Sequence, residues 1–337
     1  MPSTASASTD PKRILIRAPN WIGDCVMSMP AVQRLRERFP QAHIALLAKE
    51  KVLDLWKENP HLNELIPLGD IGSVAERKFE MAILFPNSFR VAWEAWRAEV
   101  PKRVGYAGHW RRWLLTDLIE GDSWNKPTDV HFVHHFLAFS KHLGGSDELV
   151  SPKITLQPAE LHEVDPLLAG ASAQPLCALA PSAEYGPAKR WLPERFIAVA
   201  KQIAQKHNVT WVIVGGPNDV ELCRPIAEGI GSNVLNLTGK TTLRQLCAVL
   251  ARCRVLLTND SGAMHVGYAV GTRVVAIFGS TEPAATGPIG EGHGVVRHKV
   301  DCSPCFLREC PIDFRCMKRI EVDEVTGRVS ECLSRAS

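Results

Sequence analysis

The 337-residue sequence contains no long apolar run. Nothing in it approaches the roughly 20 consecutive residues a bilayer helix needs, which excludes a protein built on such helices. The opening residues MPSTASASTD have neither a basic n-region nor an apolar h-region, so they do not read as a secretory signal. Residues 1–10 are expected to form a disordered tail. Without that signal, the ten cysteines are expected to be reduced thiols of a cytoplasmic protein rather than a disulfide framework. Surplus charge is lacking too: 39 Lys and Arg against 36 Asp and Glu leave +3, too little by itself to imply a nucleic-acid partner. Neither GxGxxG nor GxxxxGK[ST] occurs, which disfavours a hydride-transfer dehydrogenase and a P-loop kinase.

What is present is the alternation of an α/β protein. RILI from Arg13, HIALLA over His43–Ala48 and MAILF from Met81 read as buried strands. An amphipathic helix is expected from about Asp24 to Phe39, closed by Pro40. Residues 151–175 turn rich in Pro, Ala and Glu, and the pattern then restarts. CALA from Cys177, VTWVIV from Val209, VLLT from Val255 and RVVAIF over Arg273–Phe278 are strands; Pro193–His207, Leu243–Arg252 and Ala263–Val270 are helices. Such alternation gives parallel sheets. The chain therefore reads as two Rossmann-like domains, 11–165 and 175–318, facing a central cleft, with 319–337 a terminal helix reaching back toward the first domain. Ligands of such sheets lie beyond the carboxyl ends of the strands.

Three constellations fall at those ends. In Pro19-Asn20-Trp21-Ile22-Gly23-Asp24 the glycine permits close backbone approach, and Asp24 stands near a helix N-terminus. A carboxylate there can take a proton from an attacking hydroxyl, or simply cap the helix. The helix dipole is expected to lower its pKa, leaving a weak base that suffices when proton transfer is late. In APSAEYGPAKRW, Ser182, Gly186 and Lys189 lie between a strand and a helix. Backbone amides with an ammonium group suit a diphosphate, although an ordinary loop with surface cations reads the same way. In TNDSGAMH, the amides of Ser261 and Gly262 open a helix, Asp260 could accept bonds from sugar hydroxyls, and His265 stays near that helix end. A plain cap and a core histidine are the alternatives.

Two further clusters stand out. Arg90, Arg97, Lys102, Arg103, Arg111 and Arg112 interleave with Trp93, Trp96, Trp110 and Trp113. This mixture suits a surface meeting phosphates and an interfacial layer, or a solvated helix face with its tryptophans turned inward. Cys302, Cys305, Cys310 and Cys316 could bind structural zinc, but the paired CxxC…CxxC form is absent, and packed thiols or a redox-labile loop fit better. HFVHH (His131, His134, His135) lacks a carboxylate in helical register and reads as acceptor-side or helix-face residues.

Taken in order, RILIRAPNWIGDCVMSMPA, LAPSAEYGPAKRWLPERF, VIVGGPND, LLTNDSGAMHVGYAVGTRVVAIFGSTEP and DCSPCFLRECPIDFRC resemble the ADP-heptose:lipopolysaccharide heptosyltransferases, glycosyltransferase family nine, over nearly the whole chain from Arg13. PNWIGD, GPAKRW and CSPC look most like heptosyltransferase II. The resemblance implies a GT-B fold and inverting transfer of heptose from ADP-L-glycero-β-D-manno-heptose, bound mainly by the second domain. The acceptor implied is the heptosyl-Kdo2-lipid A inner core of lipopolysaccharide, held mainly by the first. It places the base on Asp24, the pyrophosphate contact on Lys189, and the donor turn on Asp260, Ser261, Gly262 and His265. Ser182-Ala183 stand where the family's first-heptose branch carries a threonine pair. Acceptor contacts are expected from Asn20, Gly23, Arg90 and Arg103. No cofactor or catalytic metal is implied, and the enzyme would work at the cytoplasmic face of the inner membrane as a peripheral protein. Heptosyltransferase I, a GT-B transferase with another nucleotide sugar, and a non-catalytic glycolipid-binding protein remain the alternatives.

Overall fold

A computed structural model describes residues 10–69, 71–108, 110–120, 129–171 and 174–335. The expected tail therefore lies outside the described residues except for Asp10, whose carboxylate pairs with both terminal nitrogens of Arg38 at 2.8 Å. Among the described residues no helix is long and apolar enough to cross a membrane.

The first sheet holds β1 (Arg13–Arg17), β2 (His43–Ala48), β3 (Glu64–Pro67), β4 (Met81–Leu84), β5 (Lys102–Tyr106) and β6 (Asp117–Ile119). The second holds β7 (Leu176–Ala180), β8 (Thr210–Ile213), β9 (Val234–Asn236), β10 (Val255–Asn259), β11 (Arg273–Phe278) and β12 (Gly294–Arg297). Every pairing is parallel. The strand orders are β3-β2-β1-β4-β5-β6 and β12-β11-β10-β7-β8-β9. Counted from its own first strand, each sheet thus has the same 3-2-1-4-5-6 winding, whose order reverses between β1 and β4 and again between β7 and β10. Those reversals leave crevices at the strand ends, where ligands of doubly wound sheets bind. The central strands are apolar on both faces because helices cover both sides.

The helix Ile22–Arg38 is not amphipathic along its whole length, although its sequence suggests that it is. Residues Cys25 through Val32 are all buried. The helix is sandwiched between helix Val133–His142 and helix Gly262–Ala269 of the second unit, so its first half has no flank for polar residues, which gather instead from Gln33 to Arg38. One apolar core, running from Ile14 and Val26 through Phe136 to Met264 and Phe278, continues across both units. Backbone bonds also cross between them: Phe132 N donates to Ala285 O and Ile154 N to Ala269 O, both at 2.9 Å.

The C-terminal helix, Val322–Ser334, does not return toward the first domain as expected. Val325, Val329, Cys332 and Leu333 enter the core cluster on the outer face of the second sheet, together with Phe196 and Ile203 of helix Pro193–His207. The reason is geometric: its apolar stripe matches the uncovered face of β10–β12, directly beside the point where the chain arrives.

Candidate active site in the cleft between the sheets

Four strand ends converge on one cavity of about 370 Å³. From the first unit, Trp21, Ile22, Gly23, Asp24 and Met27 line it; from the second come Tyr185 and Lys189 after β7, Asp260, Ser261, Gly262 and His265 after β10, and Thr281 after β11. Segments distant in sequence therefore meet only because both sheets present their carboxyl edges to the same gap.

Asp24 lies in the first turn of its helix, whose cap position is Trp21 with no side-chain cap bond. The capping alternative therefore does not describe this carboxylate. It keeps some surface toward the cavity while protein encloses it on the remaining sides, and burial pushes its pKa up to about 7, against an opposing pull from the Lys189 charge. The expectation of a lowered pKa is overturned. Loss of hydration outweighs a helix dipole whose effect is confined to the first turn and modest in size. The result is a stronger base, with a pKa near neutral pH, where general-base chemistry is most effective.

Close approach of two helices brings Asp24 there. A Cβ on Gly23 would come within 2.7 Å of His265 Cδ2, and one on Gly262 within 3.2 Å of the Ile22 Cβ. Each glycine accommodates a side chain of the opposite helix, so the first turn of Ile22–Arg38 presses against the first turn of Gly262–Ala269. Gly23 lines the cavity, but its bareness serves this packing. His265 is buried, its Nδ1 is 2.8 Å from Tyr268 Oη, and burial lowers its pKa to about 4, so its imidazole is neutral near pH 7.

Lys189 closes a short 3₁₀ turn, Pro187–Lys189, and its Nζ lies 2.6 Å from Asp260 Oδ2. Thr281 Oγ1 donates to the same oxygen at 2.7 Å. Asn259 fastens the two loops: its Oδ1 accepts from Trp191 N at 3.0 Å and its Nδ2 donates to Pro181 O at 2.7 Å. Ser261 occupies the cap position of helix Gly262–Ala269 without a side-chain cap bond, its Oγ lying 3.1 Å from Thr258 Oγ1 instead. The first amides of that helix have no intrahelical carbonyl to bond and carry the positive end of its dipole, a natural seat for phosphate.

The remaining expected residues are not brought here. Ser182 does not line the cavity, although its loop does. Asn20 Oδ1 accepts from Arg17 Nη2 at 3.1 Å. Arg103 lies elsewhere, its Nε and Nη1 donating to the carbonyls of Leu114 and Val100 at 2.6 Å each, and Arg90 pairs with Glu94 at 2.7 Å. Neither is a contact of this cavity. Of the aromatic-basic segment, Trp96, Trp110 and Trp113 are exposed, Trp110 to 92%, while Trp93 is half-buried and Arg111 is buried. The inward-turned alternative therefore fails for three of its four tryptophans. His131 docks on the second unit, its Nε2 lying 3.0 Å from Gly287 O. Cys302, Cys305, Cys310 and Cys316 line one small void of about 60 Å³; among the described residues no three His, Cys, Asp or Glu side chains are arranged to hold a metal ion. Sequence reasoning left Tyr185, Thr281 and Arg308 unassigned, although all three line the cavity. The available signal was their position just after β7, just after β11 and in the cysteine segment.

The chain matches glycosyltransferase family 9 (heptosyltransferase) over residues 71–314. It is 31% identical over 317 residues to lipopolysaccharide heptosyltransferase 2 of Salmonella typhimurium, covering 86% of this chain and 90% of that protein. The Haemophilus influenzae lipooligosaccharide heptosyltransferase 2 is 30% identical, covering 84% and 88%. Among solved structures, the ADP-heptose LPS heptosyltransferase II of E. coli superposes with a TM-score of 0.83 at 28% identity, covering 96% of this chain and 99% of that one. The two parallel six-stranded sheets are thus those of a GT-B enzyme, and this chain belongs to glycosyltransferase family 9, the heptosyltransferases.

Proposed function

We propose that this enzyme transfers L-glycero-D-manno-heptose from ADP-heptose to the heptosyl-Kdo2-lipid A inner core of lipopolysaccharide, with inversion at the anomeric carbon. The observation that carries the reading is the single cavity in which Asp24 of the first unit faces Lys189 and the Gly262–Ala269 helix mouth of the second. Asp24 removes the proton of an acceptor heptose hydroxyl as that oxygen forms its bond to donor C1. The bond from C1 to the β-phosphate oxygen breaks, and its electron pair leaves with ADP. Lys189 and the amides at Ser261 and Gly262 stabilise the charge that develops on the leaving diphosphate. Attack by the acceptor oxygen, deprotonated by Asp24, on the face opposite the diphosphate inverts C1. Phe132, Tyr185 and Phe306 wall the cavity and limit water that would hydrolyse the donor.

Incubation with ADP-heptose and lipopolysaccharide truncated after its first heptose should add one heptosyl residue to the acceptor, read by mass. Acceptance only of heptose-free Kdo2-lipid A would make the enzyme a first-heptose transferase. Turnover only with another nucleotide sugar would refute the donor, and binding without product would make the protein a carrier.

The acceptor's location follows from the exposed aromatics. Phe89, Trp96, Trp110 and Trp113 stand at the surface among exposed Arg90, Arg97 and Arg112, a composition that suits the boundary of an anionic lipid layer. This supports peripheral attachment to the cytoplasmic face of the inner membrane. Cosedimentation with anionic vesicles tests it; a Trp110→Ser/Trp113→Ser variant that sediments like the parent would refute it.

A further inference from the structure

The cysteine-rich segment 302–316 is tied to the loops that build the cavity. Cys305 N and Phe306 N both donate to Ser280 O, at 3.1 and 2.8 Å, just before Thr281. Tyr185 Oη donates to Phe306 O at 2.7 Å, and Ala188 N to Arg308 O at 3.0 Å. Gly186 is packed so tightly on this segment that any Cβ would run into the Arg308 carbonyl. The backbone of Arg308 is thereby fixed at the cavity wall, while its side chain stays exposed.

The charged groups of the cavity leave one cation without an ionic partner. The lining cations are Lys189 and Arg308, and the lining carboxylates are Asp24, Glu184 and Asp260. Lys189 is already neutralised by Asp260 at 2.6 Å. Glu184 lies 3.6 Å from Lys51 at the rim. Arg308 makes no side-chain hydrogen bond or ion pair among the described residues; its guanidinium rests 5.2 Å from the centre of the Tyr185 ring, which also carries Lys189 Nζ at 4.9 Å. A guanidinium held on an aromatic platform loses little freedom on binding and presents a planar fork that matches two phosphate oxygens. A nucleotide diphosphate entering this cavity meets one cation that is already spent and one that is free.

We infer that Arg308 is the principal cationic anchor of the donor's diphosphate, and that the cysteine-rich segment exists in this site to deliver it against Tyr185. The inference rests on the nucleotide-diphosphate reading given above and adds a binding residue to it. Lys189 is then released from Asp260 only as the diphosphate arrives, which frees the Asp260 carboxylate for the sugar.

Isothermal titration of the full-length protein with ADP, AMP and adenosine tests this, comparing the parent with Arg308→Ala and Arg308→Lys. Arg308→Ala should weaken ADP at least about tenfold, the loss expected for a charged hydrogen-bond pair, weaken AMP less, and leave adenosine unchanged. Arg308→Lys should recover part of the ADP affinity. Unaltered thermal unfolding checks that the segment remains folded. ADP affinity equal to the parent's, or an equal loss for adenosine and ADP, overturns the assignment. A parent protein that binds no ADP at all overturns the nucleotide reading itself, and the role of Arg308 with it.

Discussion

Replacing Asp24 with asparagine should make the protein more stable while disabling it. The carboxyl is raised from its ordinary 3.8 to about 7. Above neutral pH, the folded chain therefore carries an ionised group that it would bind more readily as the neutral acid. That displacement corresponds to stability of about 4 kcal/mol that is present when Asp24 is protonated and lost when it is not. The sign follows from proton counting: the folded state holds the proton over a pH range in which the unfolded chain has released it, so stability falls as pH rises. The loss begins near pH 4 and is complete slightly above pH 7, in step with the two pKa values. Asparagine fills the same space without a charge. Denaturant unfolding of ligand-free protein should show parent and Asp24→Asn nearly equal at about pH 4, with the variant ahead by up to about 4 kcal/mol at about pH 8. Equal stabilities at the higher pH, or a variant that is weaker there, would show that Asp24 is hydrated and that its environment does not prepare it as a base.

Three further expectations follow from named contacts. The kcat/KM for transfer should fall about tenfold per pH unit below about pH 7 and level off above it, because only the ionised Asp24 accepts a proton; a flat profile across that limb would remove Asp24 as the base. Gly23→Ala should lose about 1–3 kcal/mol of stability and most turnover, since its methyl group meets His265 Cδ2 at 2.7 Å; unchanged unfolding and rate would show that the two helices can part at no cost. Arg244 is buried and donates to Glu160 Oε1 at 2.7 Å and to Thr155 O at 2.8 Å, linking helix Leu243–Ala251 to the chain that leaves the first unit. Arg244→Ala should cost roughly 2–4 kcal/mol in thermal or chemical unfolding, and a loss below the error of that measurement would remove it as a strut between the units.

The inner strands and long helices were legible because burial on both faces forces continuous apolar runs. His43–Ala48, Arg273–Phe278 and helix Pro193–His207 lie where their sequences place them, the last bounded by Pro193 at its first position and by Asn208 in the left-handed region at its end. The strands without a clear sequence signal, Glu64–Pro67, Lys102–Tyr106, Asp117–Ile119, Val234–Asn236 and Gly294–Arg297, are short and stand at or beside sheet edges, where one-sided packing admits charged and exposed residues. In the site, Asp24, Lys189 and Asp260 were legible from strand–loop–helix position. The pKa of Asp24 was not, because enclosure by helix Gly262–Ala269, far along the chain, is invisible to a local pattern. Arg308 was hidden for the same reason: the amide that holds its carbonyl belongs to Ala188. Arg103 stands outside this cavity, its Nε and Nη1 turned to the carbonyls of Leu114 and Val100, a local pairing that a basic residue among tryptophans does not announce.

The central claim is that Asp24 faces a diphosphate seat built by the other half of the chain. A crystal structure with ADP bound tests it most directly. The account predicts the diphosphate between Lys189, Arg308 and the first turn of helix Gly262–Ala269, with the Asp24 carboxylate across the same cavity from the β-phosphate. A nucleotide seated elsewhere, or a diphosphate turned away from Asp24, would contradict it.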